Sequence, residues 1–599
     1  MKSKRNILLL LLVCLPSISC LQVENEGSKN TPAHEYEGLA EYLEKRIHKV
    51  VKKHHLPSIG IVLVKDDKII YRSAKGLANI EKNIEINENT FFKVYSVAKV
   101  FTALEIFREV EAGLINLDDP MTNSLPDFSI KSRFNETQPV TIRNILAHRS
   151  GLPRNECVSY SQPNNPLRTL EKFEQSCHDC FLSFPPESRY KYSNLGYDLL
   201  GRVIEETRDE GFARYMDINV LPLLGMAEST FRVENIAGSS IIATGYEYYK
   251  GKYYPIDQTK NISSVPSGNL YSNLHDLQTF LFKILSNNGV FEKKETLNMM
   301  FRDHYSRQVD PETMGLGWKT CNIKNTELMV WHDGGPDDGT GTLIAILPER
   351  KIGLVMVSNC TAFGGNVSAP LAVDIFNKMI EKDEATTPST KKTVKRIKMD
   401  QGELKQLAGN YAAFGQIMTV TSKKHKLKGK IGGIGLDLIP LENSRFKVTH
   451  WTHEIGLTKI IPAPVDLDKL SVEFISRDAN IESDIMIINL DNISYEICPK
   501  YPPKDHWPEY WPHIAGEYMI YKRLSGDRPG DLWNGKYTIN TDNELVVMSN
   551  PFGPVIPITD KYIRISTGPF AGEIMEYSSL TGNIIHQNAI FTPDNKENP

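Results

Sequence analysis

The feature that most constrains this chain is a change of character across Glu381–Asp400. Before it, from about His34 to Lys382, helical and strand patterns are mixed. From Gly402 onward the sequence is short alternating strands punctuated by Gly, Asn and Asp. One hydrophobic core cannot serve both kinds of pattern. With 599 residues and about 100 to 200 residues per domain, three or four domains are expected. The junction is dense in Lys, Glu, Thr and Pro and poor in apolar residues, which is the composition of a linker.

In the first part, a helical period runs through Leu39–Val51. Ile59–Val64 and Ile69–Tyr71 flank Asp66-Asp67-Lys68 as a hairpin, and a helical stretch covers Ser96 to about Glu111. Strands follow at Met314–Thr320, Glu327–Trp331, Thr340–Leu347 and Gly353–Ser358, then a closing helix at Ala369–Ile380. This order predicts an α+β fold: an antiparallel sheet flanked by helices, a separate helical lobe, and a site in the cleft between them. In the second part, Leu407-Ala408-Gly409-Asn410-Tyr411 recurs as Ile514-Ala515-Gly516-Glu517-Tyr518, 107 positions on from Gly409 to Gly516. Two small all-β, barrel-like units are expected, joined by the proline-rich Tyr501–Pro508. The expected boundaries are 36–382, a linker at 383–401, 402–500 and 508–599. Tyr411, Tyr518, Trp507, Trp511 and Trp533 read as barrel core or interface rather than a ligand cage, and the basic run Lys423–Lys430 reads as a solvated strand.

Lys2, Lys4 and Arg5 precede an apolar run, Ile7–Leu15, that ends in Pro16-Ser17-Ile18-Ser19-Cys20, the three regions of an export signal over residues 1–20. The run is too short to span a bilayer. Lipidation of Cys20 and plain cleavage both fit this segment, so a membrane is reached only through an N-terminal lipid. The expected location is periplasmic, lipid-anchored or secreted. The 69 Lys+Arg against 73 Asp+Glu give a formal charge of -4, with no basic excess to neutralise phosphates, so nucleic acid is not an expected partner. A small molecule or peptide substrate is. Of the 8 cysteines, Cys157, Cys177 and Cys180 lie close together, and in an oxidising compartment one disulfide between Cys157 and either of the other two is expected. Cys177-His178-Asp179-Cys180 has no second matching pair, so no metal and no cofactor are expected.

Three motifs could carry chemistry. Ser96 and Lys99, in Tyr95-Ser96-Val97-Ala98-Lys99, are spaced to share one helix face, and a lysine of lowered proton affinity can activate a serine hydroxyl. Tyr192 and Asn194, in Tyr190-Lys191-Tyr192-Ser193-Asn194, stand at the mouth of a helix, one offering a phenol and the other an amide. His332-Asp333-Gly334-Gly335 follows an apolar strand, where glycines let a ligand approach and a backbone N–H can serve an oxyanion. Taken singly, each motif has a plainer structural reading. Their order along the chain removes chance as the explanation.

In that order the motifs resemble those of the class C β-lactamase and penicillin-recognising serine hydrolase family. Thr141–Leu152, Leu221–Met226 and Ser267–Asn273 are similar to further family segments, and the resemblance covers about residues 36–382. It implies Ser96 as nucleophile, Lys99 as its activating partner, Tyr192 as general base and Asn194 as a substrate-orienting amide. His332 would take the place of the family's third-motif Lys or His, and the N–H groups of Ser96 and Gly335, beside Gly334, would form the oxyanion hole. Class C β-lactamases show Lys-Thr-Gly at the third motif. His-Asp-Gly resembles the esterase and peptidase relatives and points away from β-lactam turnover. The Asp333 carboxylate is expected to repel an anionic substrate group. The tail is similar to that of D-aminopeptidase-like proteins, whose catalytic domain precedes two β-barrels. The implied activity is cleavage of an amide or ester through an acyl-enzyme on Ser96, on short or D-residue-containing peptides or on esters. The competing expectation is a binding protein for β-lactams or cell wall that acylates slowly or not at all.

Overall fold

The computed structural model describes residues 36–383 except 37, 135–137, 156–168, 239, 306–312, 325–326 and 336–338. It also describes 395–449 except 414–415, 432–433 and 443–444, and beyond 469 the remaining strands of that all-β unit and the strands of a second, with a few residues beside them. The export segment with Cys20, the linker 384–394, Cys157 and Tyr501–Pro508 lie outside the described residues.

The first domain contains helices α1 (Leu39–His54), α2 (Ala98–Glu111), α3 (Met121–Ser124), α4 (Ile142–Leu146), α5 (Leu170–Ser176) and α6 (Asn194–Arg208). It continues with α7 (Phe212–Tyr215), α8 (Val265–Gly268), α9 (Leu274–Ser286), α10 (Lys294–Phe301) and α11 (Gly365–Asp383). Its strands are β1 (Ser58–Lys65), β2 (Lys68–Asn79), β3 (Ile84–Glu85), β4 (Phe92–Lys93), β5 (Gly245–Tyr249) and β6 (Lys252–Ile256). They continue with β7 (Tyr271–Ser272), β8 (Thr313–Met314), β9 (Lys319–Ile323), β10 (Glu327–Gly334), β11 (Gly341–Leu347) and β12 (Ile352–Ser358). Eight of these form one sheet in the order β3-β2-β1-β12-β11-β10-β9-β8, with each neighbouring pair antiparallel.

The strand period of two sorts the central strands between two cores. Ile59, Ile61 and Leu63 of β1 face the layer of α1 and α11, where Leu43, Ile47, Ile375 and Phe376 are buried. Val62 and Val64 face the helical lobe, with Phe101, Leu104 and Leu277. In α1 the buried positions Leu39, Leu43, Ile47 and Val50 recur at helical spacing, which lays one stripe of that helix on the sheet. The α+β architecture read from the sequence is the one observed.

Two local readings change. The helix expected from Ser96 opens instead as a 3-10 turn, Tyr95–Val97, before α2. The strand expected at Met314–Thr320 is split into β8 and β9. Gly317 between them has φ +90, and a Cβ there would lie 2.4 Å from Ala103 Cβ, so the chain bends onto α2 where only glycine fits.

Beyond α12 (Gln401–Gln406), eight antiparallel strands run from Gly409–Ala413 to Ile493–Pro499, and a bridge from Tyr411 to Lys500 brings the last back to the first. A second set of eight, Gly516–Ile520 to Ala589–Pro593, forms a closed barrel. The repeated Gly-x-Tyr therefore opens the first strand of each unit. Tyr411 is buried beside Phe474, and Lys426 and Lys428 pair with Asp437 on the neighbouring strand.

Candidate active site

The site is built at the start of α2. Val94 sits at φ -89 and ψ 0, Tyr95 at φ +45, and the 3-10 turn then presents Ser96 before α2 carries Lys99 inward. A 3-10 turn stacks residues three apart, so Lys99 Nζ lies 3.2 Å from Ser96 Oγ. Ser96 is half-buried, whereas Lys99 is fully buried. The ammonium also donates to Asn194 Oδ1 at 2.8 Å and to the Ser267 carbonyl of α8 at 2.7 Å. Burial pushes its proton affinity down, and hydrogen-bond and charge contact with Tyr192 and the field of Asp198 push it partly back up. Asn194 and Ser267 offer oxygens that only accept, and theirs are the shorter bonds. Loss of one proton leaves both satisfied and turns the lone pair of Lys99 toward Ser96.

Tyr192 and Asn194 form the facing wall. Ser193 caps α6, its hydroxyl accepting from Gly196 N–H at 2.9 Å and donating to the Pro153 carbonyl at 2.7 Å. The Asn194 amide N–H bonds the Arg154 carbonyl at 2.7 Å, and its side-chain Nδ2 bonds Asn155 Oδ1 at 2.9 Å. Tyr192 is half-buried, with Lys99 Nζ 5.0 Å from its ring centre and the Arg154 guanidinium 5.0 Å away. Behind it, the ring of His148 lies 4.3 Å from that of Tyr192 and 5.1 Å from that of Tyr197. His148 Nδ1 accepts from Ser193 N–H at 3.1 Å. Burial, and then the positive field of Lys99, hold this imidazole neutral, well below its ordinary value.

The third wall is the end of β10. A Cβ on Gly334 would come 2.2 Å from the Val94 carbonyl and 2.9 Å from Ser96 N, so only a glycine lets this strand close on the turn that carries Ser96. Gly335 has φ +75, and a Cβ there would strike the Tyr95 ring at 2.3 Å. The N–H groups of Ser96 and Gly335 therefore belong to two segments in direct contact. His332 lies on the inner face of β10, 1% exposed, with Nδ1 donating to the Asp333 carbonyl at 2.8 Å. Burial, with Lys319 and Lys99 adding, lowers its proton affinity strongly. It offers a neutral ring in place of a cation.

The Asp333 expectation is corrected. Asp333 alternates to the opposite face of β10, where it pairs with Lys319 of β9 at 3.1 Å and lies against Gly365 at the start of α11. Its charge is matched by Lys319 and set on the face of β10 opposite His332, which weakens the repulsion expected of it. Among the cysteines, Cys180 is disulfide-bonded while Cys177 keeps a buried thiol bonded to the Phe173 carbonyl. That fits the alternative in which Cys180 is the bonded partner, and a disulfide sulfur is no metal ligand. Ser267 and His148 lie inside the family-like segments, whereas no motif contains Arg154 or Glu573, which meet each other and Lys191 here.

The fold and this arrangement set a serine and a lysine together at the cleft between a sheet and a helical lobe. A model of the Beta-lactamase family matches residues 43–375, more than half of the chain, and the chain belongs to that family. It is 28% identical to Beta-lactamase-like protein 4 of Dictyostelium discoideum over 55% of this chain and 62% of that protein. It is 26% identical to Protein flp of Staphylococcus aureus over 52% of this chain and 61% of that protein. The match thus spans under two thirds of either relative. In fold, it is similar to an octameric penicillin-binding protein homologue from Pyrococcus abyssi, with 22% identity, a TM-score of 0.50, and coverage of 76% of this chain and 99% of that one. It is also similar to SurE, with 20% identity, a TM-score of 0.54, and coverage of 77% and 99%.

Proposed function

We propose that this protein is an exported serine hydrolase that cleaves amide or ester bonds through an acyl-enzyme on Ser96, acting on short or D-residue-containing peptides or on esters. The observation that carries the proposal is the fully buried Lys99, 3.2 Å from Ser96 Oγ and anchored on its other sides by two acceptors. In the proposed reaction, Lys99 and Tyr192 take the Ser96 proton as Oγ attacks the carbonyl carbon. The carbonyl oxygen, now negative, is held by the N–H groups of Ser96 and Gly335. Collapse breaks the bond to the leaving group, which takes a proton through Tyr192, and water then attacks the acyl-Ser96 ester by the same route in reverse. Asn194 positions the substrate and Lys99 together. Residues 1–20 direct the chain across the inner membrane to the periplasm or beyond.

The test is a panel of p-nitrophenyl esters, D-amino-acid amides and a chromogenic cephalosporin, run on the wild type and on S96A. Turnover of an amide or ester that disappears in S96A is expected. A slow covalent adduct without turnover on any of them would replace the hydrolase with an acylating binding protein.

A further inference from the structure

The last barrel reaches the site through one side chain. Glu573 stands just before the strand Ile574–Tyr577, and its carbonyl accepts from Ile565 N–H at 3.0 Å, which fixes it to the barrel wall. Its Oε1 accepts from Lys191 Nζ at 2.9 Å and from the Arg154 backbone N–H at 2.9 Å. Glu573 and Lys191 are each 4% exposed. Two opposite charges from segments 382 residues apart are thus buried against each other. Neither is in an ordinary surface ion pair.

The two groups that Glu573 grips flank the facing wall of the cleft. Lys191 is the residue immediately before Tyr192, and its own N–H bonds the His148 carbonyl at 2.7 Å. Arg154 sends its carbonyl to the N–H of Asn194 and its guanidinium over the Tyr192 ring. Glu573 therefore joins the two strands of chain, 153–155 and 191–194, that together set the positions of the Tyr192 phenol and the Asn194 amide. Lys191 is desolvated enough for its proton affinity to fall, with Glu573 the first opposing influence.

We propose that Glu573 is a positioning residue for the hydrolase site: the C-terminal barrel docks it between Arg154 and Lys191 and so holds Tyr192 and Asn194 in register with Ser96 and Lys99. The proposal rests on the reading of Ser96 as nucleophile. It gives the barrel a part in the reaction without any contact with substrate.

The experiment compares full-length wild type, E573A and E573Q in two readouts. The first is the rate of Ser96 labelling by a fluorophosphonate at saturating probe. A displacement of about 1 Å in a reacting constellation can cost about a hundredfold, so E573A is expected to label about tenfold to a hundredfold more slowly. E573Q, whose amide oxygen can still accept both bonds, is expected to recover most of that loss, which a role in folding stability alone would not produce in the folded fraction. The second readout is hydrogen–deuterium exchange at Arg154 and at 191–195, expected to quicken in E573A and not in E573Q. An E573A protein that folds, labels at the wild-type rate and keeps its protection at these amides would overturn the proposal. Wild type that does not label at all would overturn the hydrolase reading instead, and the exchange comparison would still decide for or against the positioning role.

Discussion

The two walls that face each other across this cleft are made differently. The Ser96 wall is local: one 3-10 turn and one helix bring a hydroxyl and an amine three residues apart to 3.2 Å. The Tyr192 wall is remote. Its parts are set by His148 and Arg154 from one stretch of sequence and by Glu573 from another, in the last barrel. In the proposed mechanism, the local wall carries the reactive pair, and the remote wall sets whether that pair meets a base and an oriented substrate. A site divided this way can keep its chemistry while its geometry is tuned from a distance.

The largest effect is expected from breaking the local wall. K99M removes the amine while filling its space, and labelling of Ser96 should fall on the order of 10³-fold. In the wild type the same amine sets a pH profile. Because burial lowers its proton affinity, labelling should rise with pH and level off below the ordinary lysine range of about 10.4. A plateau reached only in that ordinary range would contradict the assignment.

Next comes the contact between the walls' ends. G334A places a methyl 2.9 Å from Ser96 N and 2.2 Å from the Val94 carbonyl, which pushes the strand off the turn and spoils the oxyanion donors. Reactivity should fall on the order of 10²-fold, measured as labelling rate on protein whose circular dichroism is unchanged. Retained wild-type labelling would mean that the oxyanion is held elsewhere.

A smaller effect belongs to the buried imidazoles of the remote wall and of β10. His148 and His332 are held neutral in the fold, whereas in the unfolded chain each takes up a proton below about 6.5. The unfolded state then binds more protons, so stability is fully present above about pH 6.5 and falls as pH drops below it. H148Q should flatten that slope in denaturant midpoints taken from pH 7 to pH 5. An unchanged slope would assign the acid sensitivity to other groups.

The smallest effect on chemistry is expected at Asp333. D333N uncouples Lys319 on the face of β10 turned away from Ser96, so it should lower thermal stability and leave labelling within about twofold of wild type. A large loss of labelling would return Asp333 to the site.

The same division explains what could be read beforehand. The sheet, the two β units and the Ser96, Lys99, Tyr192 and Asn194 positions were legible because strand alternation, helix spacing and short motifs write geometry into neighbouring residues. Asp333 shows a signal present and unused: placing His332 inward on a strand puts the next residue outward by the period of two. The Ser267 carbonyl left no mark, since any residue type supplies a carbonyl. Glu573 left none either, because nothing within its own barrel distinguishes a glutamate that will be buried 382 residues away from its partner.

The most direct test of the account is intact-mass spectrometry of the full-length protein after exposure to a fluorophosphonate, beside S96A. A single adduct on wild type that is absent from S96A is the expected result. An adduct that persists in S96A, or a folded wild type that takes up none, would contradict Ser96 as the activated nucleophile.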